Sequence, residues 1–147
     1  MREAWRAALG PAALGALTLE DALTLIEEAR AARERAYAPY SHFQVGAALR
    51  VGNGRIFAGV NVENASYGAT ICAERAAVFA AVSAGHRDFT ALAVLADLAH
   101  PVAPCGLCRQ VLAEFTRTAP VIMANLKGAI AVRRVEELLP LAFALPE

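Results

Sequence analysis

Charge of one sign is missing from this 147-residue sequence: fourteen Lys and Arg balance fourteen Asp and Glu, and no basic stripe stands out. A nucleic-acid duplex or an acidic membrane surface is therefore not an evident partner. No apolar run reaches membrane-spanning length, and no convincing secretory signal precedes the rest. Cysteine is scarce, with three in all, and two of them stand in one Cys-x-x-Cys. An odd count spaced this way argues against a disulfide framework and for metal binding in a reducing, cytoplasmic setting. Lysine is reduced to Lys127 and tryptophan to Trp5. The first reads as a habit of composition, the second as a packing anchor. Internal repeats and low-complexity tracts are absent as well. What is abundant is apolar residue, 57% of the chain, much of it alanine. A chain of this length and make-up forms one domain whose helices pack closely.

All three cysteines lie in two short stretches, Cys72-Ala73-Glu74-Arg75 and Pro104-Cys105-Gly106-Leu107-Cys108-Arg109-Gln110. A Cys-x-x-Cys at the start of a helix puts both sulfurs on one turn, where they can grip one ion. Cys72 adds a third sulfur. Three protein ligands leave one of the four positions of zinc open, as in a catalytic rather than a structural site. Zinc lowers the pKa of water held there, and a neighbouring glutamate can move its protons. Thioredoxin-like redox use would give Cys72 no part. His100 is a possible fourth ligand, though a histidine before Pro101 in a loop is more often simply exposed. Glu74 has a bland reading too, an ion pair with Arg75, but its spacing from Cys72 favours a proton carrier. Three thiolates on one Zn²⁺ leave the site net negative and need an offset. Arg75 is the first candidate, Arg109 the second, and two helix N-termini add partial positive charge.

The frame around these stretches follows from periodicity and punctuation. Residues 1–17 form a short helix or a frayed extension. Thr18 is an N-cap with Asp21 in a capping-box-like position. A helix follows, with Leu19, Ala22, Leu23, Ile26 and Ala29 on one face, and Pro39 ends it. Phe43 to Val51 alternates as a strand, Gly52-Asn53-Gly54 turns, and Arg55 to Asn61 returns antiparallel. Residues 64–70 are a polar loop. Cys72 to Ala84 is a helix closed by Gly85. Phe89 to Asp97 is a strand covered on both faces. Cys105 to Phe115 is the second site helix, followed by strands at Pro120 to Ala124 and Ala129 to Val132 and a helical turn at Val135 to Leu139. This order predicts an α/β fold, a three-layer α/β/α sandwich on a five-stranded mixed sheet. The expected division is an N-terminal extension, 1–17, and a single domain, 18–147.

The joint pattern Cys72-Ala73-Glu74-Arg75 with Pro104-Cys105-Gly106-x-Cys108-Arg109-Gln110 resembles the cytidine deaminases of pyrimidine salvage, in their small, homotetrameric, three-cysteine group. The likeness runs from about Tyr37 to about Phe143. It takes in Ala38-Pro39-Tyr40-Ser41-His42-Phe43-Gln44-Val45-Gly46-Ala47-Ala48-Leu49 and Asn61-Val62-Glu63-Asn64-Ala65-Ser66-Tyr67. The zinc-deaminase signature carries a non-ligand glutamate and Pro-Cys-x-x-Cys. The resemblance implies one Zn²⁺ per subunit on Cys72, Cys105 and Cys108. It implies that zinc hydroxide attacks C4 of cytidine or 2′-deoxycytidine while Glu74 shuttles protons, giving uridine or 2′-deoxyuridine and ammonia. It also implies that Phe43 packs on the pyrimidine and that Asn61 and Glu63 hold the ribose hydroxyls. Backbone near Ala73 and Cys105 orients the base. The resemblance further implies that Tyr67 and Phe143 reach across subunit boundaries, so that active sites are shared. A deaminase of another aminopyrimidine is disfavoured by Asn61-x-Glu63, a polynucleotide editor by neutral charge, and a zinc-stabilised binding protein by the intact glutamate.

Overall fold

Strand β1 (Val45–Val51) turns through Gly52-Asn53-Gly54 into β2 (Ile56–Val60), antiparallel, with Gly46 opposite Val60 and Arg50 opposite Ile56. Gly54 sits at φ +87°, where a side chain is resisted, and the Asn53 side-chain oxygen accepts from the Arg55 N–H at 2.9 Å. The turn chemistry read from sequence therefore makes this hairpin. In the computed structural model, which describes residues 1–146, β3 (Phe89–Ala96) pairs with the other side of β1. Strand β4 (Pro120–Asn125) runs parallel to β3, and β5 (Ile130–Arg134) antiparallel to β4. The resulting order is β2-β1-β3-β4-β5, a five-stranded mixed sheet. Every residue of β4 and all but Thr90 of β3 are buried, as continuous apolar runs require when both faces are covered.

Two helical layers do the covering. Helices α3 (Ala73–Ser83), α4 (Gly106–Phe115) and the short α5 (Val135–Leu138) share one core with Ala47, Leu49, Val94 and Val121. Helices α1 (Arg2–Leu9) and α2 (Leu19–Arg33) share the other with Ala48, Ala93, Leu95 and Ile122. Thr18 caps α2 as expected, its hydroxyl accepting from the Asp21 N–H at 3.0 Å. Close approach is built in with glycine. A Cβ on Gly59 would stand 2.4 Å from both the Ala73 carbonyl and the Ala77 nitrogen, so β2 seats the first turns of α3 directly.

Within the first seventeen residues, α1 is a packed helix rather than a frayed extension. Trp5 and Leu9 are fully buried, and the Trp5 indole N–H donates to the Asn125 carbonyl at 3.1 Å. Arg6 and Arg2 reach Glu20 on α2 at 2.6 and 3.3 Å, but these groups are exposed and contribute little. The indole is the anchor.

Candidate active site

Cys72 and Cys105 are the N-cap residues of α3 and α4, with no side-chain cap on either helix. Uncapped N–H groups and the two helix dipoles therefore face the sulfurs, and both favour thiolate. Cys108 lies on the first turn of α4 and is buried. The sulfur of Cys105 is 3.6 Å from that of Cys72 and 3.5 Å from that of Cys108. All three ligand atoms lie within 4.8 Å of one another. Two sulfurs bound tetrahedrally to one zinc at about 2.3 Å stand about 3.8 Å apart, so the cluster fits the ion with little adjustment. Among the described residues no further His, Cys, Asp or Glu joins this group. His100 is exposed, its Nδ1 3.0 Å from the Pro101 carbonyl.

Charge is already poised in the cluster. Hydrogen bonding from Cys108 pulls the Cys72 thiol well below its ordinary value, against burial, with help from Arg75 and Cys105. The same pairing, then burial, then Glu74, pushes the Cys108 thiol up. Metal binding would require all three sulfurs as thiolates and would release any protons they hold. The Arg75 Nη2 lies 3.4 Å from the Cys72 sulfur, while its buried Nε has no hydrogen-bond partner among the described residues. Arg109 has a structural part that its position does not reveal. Its Nε donates to the Pro104 carbonyl at 2.8 Å and its Nη1 to the Leu138 carbonyl at 2.9 Å. That fork ties the approach to Cys105 onto α5 while the guanidinium keeps its charge beside Cys108.

Glu74 is 4% exposed, on the first turn of α3. Burial is the largest cause that raises its pKa to about 7, and the nearby Cys72 adds to it. A carboxyl so tuned can both take and give a proton near neutral pH. It lines a hollow of about 200 Å³ together with Phe43, Asn61, Ala73, Cys72 and Cys105. Thr70 joins this hollow to a larger one, about 410 Å³, lined by Tyr40, Ser41, Glu63, Asn64 and Tyr67. The larger hollow has no cysteine; the sulfurs belong to the inner one.

Several residues singled out in the sequence carry structural duties that spacing does not reveal. The Asn61 amide accepts from the Val45 N–H at 2.9 Å and donates to the Phe43 carbonyl at 2.7 Å, fixing the turn that presents Phe43. One lone pair and one N–H remain for other partners. The Glu63 carboxylate accepts from the Tyr40 and Ser41 N–H groups at 2.9 and 3.0 Å and from the Ser41 hydroxyl. The Ser41 hydroxyl is the main reason its pKa is lowered. Tyr67 opens a 3₁₀ turn, Tyr67–Ala69, within the predicted loop; it is exposed and edge-on to Tyr40 at 6.1 Å. Phe143 is exposed too. Its backbone is held at two points by the Gln110 amide, at 2.9 and 3.3 Å. Neither Gln110 as a clamp nor Val102 and Ala103 as lining was foreseeable without the fold.

A three-sulfur metal centre beside a buried carboxyl tuned to neutrality is the equipment of a zinc-dependent hydrolytic enzyme. The model of the cytidine and deoxycytidylate deaminase zinc-binding region matches residues 19–124. The chain belongs to that deaminase family. It is 55% identical over 125 residues to the cytidine deaminase of Sporosarcina psychrophila, covering 84% of this chain and 92% of that protein. It is 56% identical over 124 residues to the cytidine deaminase of Halalkalibacterium halodurans, covering 84% and 94%. A crystal structure of cytidine deaminase from Burkholderia pseudomallei superposes with a TM-score of 0.80 at 53% identity, over 82% of this chain and 97% of that one.

Proposed function

We propose that the protein hydrolyses cytidine and 2′-deoxycytidine to uridine and 2′-deoxyuridine with release of ammonia. The observation that carries this reading is the buried Glu74 carboxyl in the same hollow as the sulfur cluster. Zinc held by Cys72, Cys105 and Cys108 supplies a Lewis acid that makes water nucleophilic near neutral pH. Glu74 takes a proton as water adds to C4 and delivers it to N3 of the base. It then takes the proton of the new C4 hydroxyl and passes it to the amine as the C4–N bond breaks, leaving a carbonyl at C4 and releasing ammonia. Phe43 packs on the pyrimidine. The free N–H groups at the starts of α3 and α4, near Ala73 and Cys105, orient its polar edge. Asn61 and Glu63 hold the ribose hydroxyls along the rim between the two hollows. An absorbance assay with cytidine tests the reading: turnover is expected with the zinc-loaded protein and not after chelation, and no turnover by the loaded protein contradicts it.

Arg75 offsets the negative charge of the sulfur-rich centre. Without it, protons at the centre are held more tightly. For Arg75→Gln the acid limb of the pH–rate profile should therefore move up by about 1 unit. An unshifted limb removes this role from Arg75.

Residues 18–147 act as one deaminase domain, and the assembly is a cytoplasmic homotetramer with shared active sites. Exposed Tyr67, Leu107 and Phe143 support the assembly, with Tyr67 and Phe143 reaching into neighbouring sites. Native mass spectrometry should give four times the chain mass; a monomer contradicts the shared site.

A further inference from the structure

Asn125 ends β4 beside the end of β3, because Ala96 and Asn125 are partners across the parallel pair. It is 1% exposed, and its side chain works in two directions. Its Oδ1 accepts from the N–H groups of Lys127 and Ala129 at 3.0 and 2.9 Å, shaping the turn into β5. Its Nδ2 donates to the Leu98 carbonyl at 3.0 Å. The loop over 97–104 is tied down there as it leaves β3. It is tied again where the Val102 N–H donates to the Ala124 carbonyl at 3.4 Å. Val102 and Ala103 then line the inner hollow, and Pro104 leads into Cys105. From the opposite face of the sheet, the Trp5 indole N–H holds the backbone carbonyl of the same Asn125.

We propose that Asn125 is a positioning residue for the loop that brings Val102 and Ala103 to the substrate hollow and Cys105 to the metal, and that Trp5 steadies it from behind. The turn into β5 needs only an acceptor oxygen, which aspartate would supply equally well. The donor on Nδ2 serves the loop alone. A loop fixed at both ends of its exposed stretch, Ala99 and His100, spends less time away from the geometry that binding requires. The N-terminal segment thereby gains a part in the site without touching it.

Asn125→Asp separates these duties, since it keeps the acceptor and removes the donor. The zinc-loaded full-length protein should release zinc to a chromogenic chelator about tenfold faster, as loss of a supporting partner does. Amide exchange over residues 97–104 should rise, and KM for cytidine should rise more than kcat falls. Trp5→Phe keeps the apolar packing and loses the N–H; it should move zinc release and exchange in the same direction by a smaller factor. Phe89→Leu, at the far end of β3, should lower stability but leave both near wild type. The idea is overturned if Asn125→Asp leaves zinc release and exchange unchanged, or if Phe89→Leu at equal loss of Tm reproduces its effects. Should Asn125→Asp fail to fold, Trp5→Phe decides, and unchanged exchange over 97–104 overturns the idea. Only the KM comparison rests on the deaminase reading; zinc release and exchange need no substrate, so the two can fail separately.

Discussion

Glu74→Gln is expected to lose about 10⁴-fold in turnover while retaining its zinc, because in the proposed reaction one carboxyl serves both as base and as acid. Glutamine matches the shape but can neither take nor give the proton. The carboxyl is not one of the grouped ligand residues, so metal content by atomic absorption should match wild type. The variant should also be more stable when metal-free. Burial raises the Glu74 pKa to about 7, from 4.5. The folded chain therefore holds a proton that the unfolded chain releases, and stability falls as pH rises from about 4.5 through about 7. Glutamine removes that loss, so Tm of the metal-free variant should exceed wild type at pH 8 and converge with it near pH 4. Full activity in Glu74→Gln, or a stability difference of the opposite sign, contradicts the assignment.

Cys105→Ala should cost both metal and fold. It removes one of three sulfurs and breaks the link between the first turns of α3 and α4. Zinc binding should weaken by more than the about 10–100-fold that loss of a supporting partner costs. Metal-binding energy is folding energy when the site does not exist in the unfolded chain. The Tm of the variant should therefore fall to near that of wild type stripped by chelator, and added zinc should restore wild type alone. Retention of stoichiometric zinc by Cys105→Ala would mean that another group supplies the coordination.

The chemistry was legible in the sequence because it is local. Cys72 with Glu74, and Cys105 with Cys108, are brought together by a single helical turn each. The strands were legible for a similar reason: β1 and β2 share a tight Gly-rich turn, and the runs in β3 and β4 are apolar without a break. What stayed hidden depends on contacts between distant segments. Trp5 meets Asn125 across 120 positions, and nothing in an alanine-rich start announces it. Arg109 also holds two carbonyls, because α5 returns next to it, and nothing local announces that. Asn61 and Glu63 reach backward to the turn before β1, a direction no spacing rule supplies. Polar side chains in an alanine-rich frame are drawn to whatever backbone groups the fold leaves unpaired, and those are set by topology.

X-ray absorption at the zinc edge of the loaded, substrate-free protein tests the centre most directly. Three sulfurs at about 2.3 Å and one oxygen or nitrogen at about 2.0 Å are predicted, with the light atom replaced when a substrate analogue binds. A shell completed by a fourth protein ligand that no analogue displaces, or one with fewer than three sulfurs, would contradict an open three-cysteine zinc site.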